Sequence, residues 1–168
     1  AGLATVGIST TPETPLLEMS DQPICLPTDP REGIVMTVSA SLMLLAGLRL
    51  CGGTVTLADL EAARAALAAM ETAGPVLKGR SHLVCLGAGP LYGLACEAAL
   101  KLQEMSLSYA QAFHPMEYRH GPISLIDERS LLVMLYSPAT AAEEALVVRD
   151  VQDKGARVIG FGGPGDRS

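Results

Sequence analysis

Tryptophan is absent from these 168 residues, and all aromatics together make up only 4%. Any core must therefore be aliphatic and rich in alanine. Cysteine is sparse as well. Cys25, Cys51, Cys85 and Cys96 lie far apart, with no Cys-x-x-Cys pair and no histidine cluster beside them. That spacing excludes the common structural zinc sites, and no metal or cofactor is expected. Each cysteine falls in an apolar run, which predicts buried, unpaired thiols and a reducing, cytoplasmic setting. Positive charge is in deficit, with 12 Lys and Arg against 18 Asp and Glu and a net charge of -6. This argues against a nucleic-acid partner. No apolar run reaches the length of about 20 residues that a membrane span needs. The longest, Ile34 to Leu50, is broken by Thr37, Ser39, Ser41 and Arg49 and reads as a buried helix. The first residues carry no basic stretch of the kind that opens a signal peptide.

What is present alternates between strand-like and helix-like segments, which points to an α/β fold with parallel sheets. Strands are expected at 4–9, 24–26, 82–86, 109–113, 131–136 and 157–161. Helices are expected at 15–19, 33–50, 57–72, 91–105 and 139–154. Thr56 or Asp59 is placed to cap the helix at 57, and Cys51-Gly52-Gly53 to stop the one before it. Gly74-Pro75 and Lys78-Gly79-Arg80 read as a linker. A strand at each end without a crossover to follow suggests a segment of a longer protein. The resulting division is 1–55, the back of one α/β unit; 56–79, a connecting helix and linker; and 80–168, the front of a second unit. The chain then closes in a glycine-rich turn from Gly162 to Ser168.

Chemistry-bearing residues concentrate between Val84 and Ile126. On the helix at 91–105, Glu97, Lys101 and Glu104 stand at i, i+4 and i+7 and share one face. Leu94, Ala98, Leu102 and Met105 take the adjoining apolar face. A stripe of this kind is the ordinary pattern of a solvated helix face. It also holds the groups needed to move a proton at a carbon next to a carbonyl. His120 follows in an Arg119-His120-Gly121-Pro122 turn, whereas His82 and His114 read as structural. The turn Gly87-Ala88-Gly89-Pro90 opens the helix and could present backbone N–H groups to a phosphate. It is one residue out of register for a dinucleotide motif, and no acidic residue ends a second strand about 20 positions on. Arg31, Glu32 and Thr37 stand where the apolar helix begins, placed either to cap it or to meet a ligand. Ser9-Thr10-Thr11 offers hydroxyls to a phosphate or simply forms a turn.

The run from Leu86 to Asp127, with its L-G-x-G turn at 86–89, E-x-A-L-K-L-x-E helix at 97–104 and H-G-P turn at 120–122, resembles the sugar-isomerase (SIS) domain family. The likeness is to the second SIS domain in the isomerase part of glutamine–fructose-6-phosphate aminotransferases, and to glutaminase-free relatives that isomerise or deaminate phosphosugars. The segment 4–50 resembles the second half of a first SIS domain. The resemblance implies flavodoxin-like parallel sheets with helices on both faces, in parts of two such units. It implies a phosphosugar aldose–ketose isomerase or aminotransferase-type isomerase, of the fructose-6-phosphate/glucosamine-6-phosphate class. Glu104 would carry a proton between C1 and C2 of the open-chain sugar. His120 would help open the ring, reaching across a homodimer. Lys101 would hold hydroxyls or developing enediol charge, and Glu97 would orient Lys101. Ile34, Thr37, Gly87 and Gly89 would line the substrate.

Two features depart from the aminotransferase pattern. Ile34-Val35-Met36-Thr37-Val38 stands where that pattern reads V-A-S-T-K, and is closer to the V-V-M-T-R-S of the glutaminase-free relatives. Ala88 replaces an arginine in the L-G-R-G turn. The family's main phosphate loops are expected before residue 1, and its closing Ala-Lys segment after residue 168. A non-catalytic sugar-phosphate sensor of the same fold is the alternative function.

Overall fold

The computed structural model describes residues 2–29 and 31–166. Pro30, within the expected turn at 27–33, and the last two residues of the glycine-rich turn lie outside the described residues. The chain divides into two compact units, Ala1–Arg64 and Ala65–Ser168.

In the first unit, β1 (Val6–Ser9) and β2 (Gln22–Cys25) pair in parallel, with Val6 opposite Gln22 and Ser9 opposite Cys25. A parallel pair needs a crossover. Here it carries the one-turn helix α1 (Pro15–Glu18), whose Leu17 is buried. Asp21 fastens the base of the pair. Its carboxylate accepts the Thr5 N–H at 2.8 Å and the Thr5 hydroxyl at 2.9 Å. Ser9 and Thr11 bond to each other, so this segment is a local hydroxyl turn.

Helix α2 (Val38–Leu50) begins five residues later than its apolar pattern predicts. The cause is Glu32. Its carboxylate accepts the backbone N–H of Thr37 and of Ser39, the latter at 3.0 Å, and so takes donors that a helix start leaves free. The carboxylate therefore caps the helix from outside and holds 33–37 in a non-helical approach. The expected burial of α2 also fails. Leu44, Leu48 and Leu50 are about half exposed, and Ser39 alone is buried on this helix. An apolar run is buried only when another layer covers it, and the two-stranded sheet of this unit is narrow. Helix α3 (Leu57–Ala73) starts in a reciprocal cap. The Asp59 carboxylate accepts the Thr56 N–H at 2.8 Å, and the Asp59 N–H reaches the Thr56 hydroxyl at 3.3 Å.

The Glu32 cap makes a prediction about pH. Hydrogen bonds from Thr37 and then Ser39 hold its carboxyl down from 4.5 to about 2. A depressed carboxyl contributes stability that is present above the unfolded value and lost as pH falls through the folded one. Glu32→Gln should therefore lower thermal stability at neutral pH. It should also flatten the pH dependence of unfolding between 4.5 and about 2. Unfolding midpoints across that range check this; parallel curves for wild type and variant would remove Glu32 from the role.

The second unit is a four-stranded, all-parallel sheet in the order β4-β3-β5-β6. Its strands are β3 (His82–Gly87), β4 (Ala110–Phe113), β5 (Ser130–Leu135) and β6 (Arg157–Phe161). Every residue of β3 is buried, as expected of a central strand covered on both faces. Alternate residues serve the two faces. Leu83 and Cys85 join Leu131 and Ile159 beneath α4 (Pro90–Ser106). Val84 and Leu86 join Leu132, Met134 and Val158 beneath α6 (Ala141–Asp153), which contributes Val147, Val148 and Val151. Helices thus lie on both faces, the flavodoxin-like layering.

The buried side of α4 is centred on Ala95 and Ala99. Leu94 and Met105, at the margins of the expected apolar face, are 44% and 64% exposed. Only small side chains fit where this helix lies closest to the sheet. Proline hides two short elements from sequence periodicity: α5 (Pro115–Tyr118) and a 3-10 turn at Pro122–Leu125. At the far edge, Asp166 folds back on β6. Its N–H bonds to the Val158 carbonyl and its carboxylate accepts the Val158 N–H at 2.7 Å.

The cysteines depart from expectation. Only Cys85 is buried, and its burial pushes the thiol up to about 12; Cys25, Cys51 and Cys96 are exposed, and all four are unpaired. Cys25 and Cys51 belong to the thinly layered first unit, and Cys96 sits on the outer side of α4.

Candidate functional site

The glycine turn is built by close packing. A Cβ on Gly87 would lie 2.4 Å from the Leu91 carbonyl oxygen, so only glycine lets β3 meet the start of α4. Gly89 follows with φ of 54° and ψ of -127°, a conformation that other residues avoid. Pro90 then occupies the first helical position, where its missing N–H costs nothing.

Down α4, the structure brings together three of the expected residues. The Lys101 ammonium donates to Glu104 at 2.7 Å and stands 3.5 Å from Glu97. Lys101 is the least exposed of the three, its side chain retaining 22% of its surface, against 46% for Glu97 and 37% for Glu104. Its pKa is raised, first by the hydrogen bond to Glu104, so it stays protonated. Such exposed pairs add little stability. Their chemical content is a carboxylate with a fixed cation beside it, open to solvent on one side.

The other expected residues lie elsewhere. Gly87 and Gly89 sit at the opposite end of α4; Glu104 is 14 residues beyond Pro90, about 21 Å along the axis. Ile34 is fully exposed and Thr37 is the N-cap of α2, both in the first unit. His120 is exposed after α5, its N–H donating to the Glu117 carbonyl at 3.0 Å. Among the described residues no hydrogen bond reaches its imidazole. His82 is buried, with Gln111 at 3.2 Å from Nε2 and Ser130 at 3.5 Å from Nδ1. His114 stacks on Tyr92 with ring centroids 4.2 Å apart. Arg31 pairs with Asp29 at 2.7 Å.

Sequence spacing missed a second feature. A cavity of about 230 Å³ opens at the carboxyl ends of the strands, lined by Ala88, His114, Met116, Thr140 and Glu144 among others. Glu144 is wholly buried, a rare state for a carboxylate. The only hint of it in the sequence is Thr140 four residues earlier. Neither Glu104 nor His120 lines this cavity. Among the described residues no group of three or more His, Cys, Asp or Glu is placed to hold a metal ion. Nor is any helix long and apolar enough to cross a membrane.

Residues 77–165, more than half of the chain, match the SIS domain model. The chain belongs to the SIS family. The match spans the whole of the second unit's sheet. Within the family, the chain is 33% identical over 103 residues to the glutamine–fructose-6-phosphate aminotransferase (isomerizing) of Zymomonas mobilis, covering 61% of this chain and 17% of that protein. Among solved SIS-fold structures, the glucosamine-6-phosphate deaminase of Thermotoga maritima superposes with a TM-score of 0.79 at 31% identity. That superposition covers 96% of this chain and 53% of the deaminase. The tagatose-6-phosphate ketose/aldose isomerase of Escherichia coli gives a TM-score of 0.74 at 26% identity, over 92% of this chain and 47% of that one. The chain thus spans about half the length of these two structures, and less than a fifth of the aminotransferase.

Proposed function

We propose that this SIS chain belongs to a phosphosugar aldose–ketose isomerase or aminotransferase-type isomerase, of the fructose-6-phosphate/glucosamine-6-phosphate class. The observation that carries the reading is the Lys101 ammonium held between Glu97 and Glu104 on one accessible helix face. Isomerisation removes a proton from the carbon beside a carbonyl and returns it to the neighbouring carbon. Glu104, an acceptor in its ion pair, takes the proton from one of C1 and C2 and delivers it to the other. Negative charge develops on the enediol oxygen meanwhile. A fixed ammonium 2.7 Å from Glu104 sits where it can offset that charge. Glu97 holds Lys101 on this face, a positioning role. His120 assists ring opening from the neighbouring subunit of a homodimer, a role that suits an exposed imidazole with no hydrogen bond among the described residues. The substrate-binding roles of Ile34, Thr37, Gly87 and Gly89 are carried by the resemblance alone, since Gly87 and Gly89 lie about 21 Å from Glu104 along α4. Residues 1–55 represent the back of a first SIS domain, 56–79 a connecting helix and linker, and 80–168 the front of a second. Four unpaired cysteines fit a cytoplasmic setting.

The names of the relatives support this substrate class, since each acts on a sugar 6-phosphate. Incubating the full-length protein with fructose 6-phosphate, and separately with glucosamine 6-phosphate, tests the reading. Carbon NMR should show the partner aldose or ketose appear. Saturable binding of both sugars with no conversion of either, with and without ammonia or glutamine, would instead make the protein a sensor.

A further inference from the structure

In open parallel sheets, ligands settle outside the carboxyl ends of the strands, where the order of connection reverses. In the order β4-β3-β5-β6 that point lies between β3 and β5, and the cavity beside Ala88 and Thr140 occupies it. Thr140, Glu143 and Glu144 line its wall at the start of the 13-residue helix α6, and the Ser137 N–H lies three residues before Thr140. The Ser137 N–H and the Thr140 hydroxyl are already used. The Glu144 carboxylate accepts the Ser137 N–H at 2.8 Å and the Thr140 hydroxyl at 2.8 Å. Glu144 is wholly buried, and no Lys, Arg or His pairs with it among the described residues. The neighbouring Tyr136 hydroxyl has its pKa raised, by burial first and by Glu144 second.

We propose that Glu144 is a built-in anion that closes the switch-point crevice of this sheet to phosphate. A phosphosugar meeting the second unit would find the Ser137 N–H and the Thr140 hydroxyl engaged and a buried carboxylate behind them. Its phosphate must then be held elsewhere, which leaves the outer face of α4 for the sugar carbons. Glu144 is in this sense a specificity residue, selecting against one mode of binding by repulsion and by occupied donors. Exclusion of phosphate by Glu144 does not depend on proton transfer at Glu104.

Amide chemical shifts of the 168-residue chain, titrated with inorganic phosphate and with fructose 6-phosphate, test it. In the wild type the amides of 137–144 should stay unmoved by either ligand. Glu144→Ala frees both donors and removes the buried carboxylate, leaving only the exposed Glu143 at the cavity. The same amides should then titrate with phosphate, with affinity raised at least about tenfold. Glu144→Gln keeps the shape and the bond from Thr140, and guards against loss of folding in the alanine variant; it should show a smaller gain at the same residues. Phosphate-dependent shifts at 137–144 in the wild type would overturn the proposal. So would a folded Glu144→Gln chain that responds no more than wild type. Loss of sugar conversion in Glu104 variants would leave these shifts unchanged, so the two readings fail separately.

Discussion

Glu104→Gln in the full-length protein should lower kcat for sugar-phosphate isomerisation by about 10²- to 10⁴-fold, the usual contribution of a positioned general base. The substitution is isosteric, and its amide oxygen can still accept the Lys101 hydrogen bond, which spans 2.7 Å. Substrate contacts should survive, so KM should stay within about threefold of wild type. Steady-state kinetics separate the two parameters. A rise in KM with kcat within about tenfold of wild type would make Glu104 a binding group rather than the base.

The second large effect concerns His120. Its exposed position after α5, with no side-chain partner among the described residues, suits a group that acts across a subunit boundary. His120→Ala and Glu104→Gln proteins should each be nearly inactive alone. Mixed in equal amounts under conditions of subunit exchange, half the dimers become hybrid, and each hybrid holds one site with both native residues. Recovery of about a quarter of wild-type sites is expected for a two-fold dimer. No recovery after exchange, verified by mass, would place His120 and Glu104 in the same subunit's site or remove His120 from it.

Much of the second unit is legible in the sequence, because a continuous apolar run such as Leu83–Leu86, followed by glycine and an amphipathic segment, has few other solutions. The Thr56–Asp59 cap is legible for a similar reason: both partners lie within one turn. The late start of α2 is not. Glu32 acts on donors five and seven residues ahead, across an apolar stretch that by itself looks helical. Exposure of α2 is hidden because periodicity reports which residues could be buried, not whether a layer exists to cover them. Glu144 is hidden because Glu143-Glu144 reads as a solvated pair at a helix start, and only the path of the loop turns one of them inward. At the candidate site, spacing alone places Glu97, Lys101 and Glu104 on one face, and the structure adds that they are in contact. Their roles rest on the likeness to SIS proteins, since an ion-paired stripe looks alike whether or not a sugar docks on it.

The most direct measurement of proton transfer is isotope wash-in. Fructose 6-phosphate incubated with the full-length protein in deuterium oxide should acquire deuterium at C1, and its aldose partner at C2, at a rate tied to turnover. The Glu104→Gln protein should bind the sugar and exchange carbon-bound hydrogen at least about a hundredfold more slowly. Wash-in by that variant at the wild-type rate would show that another group carries the proton and that the Lys101–Glu104 pair is only a solvated ion pair.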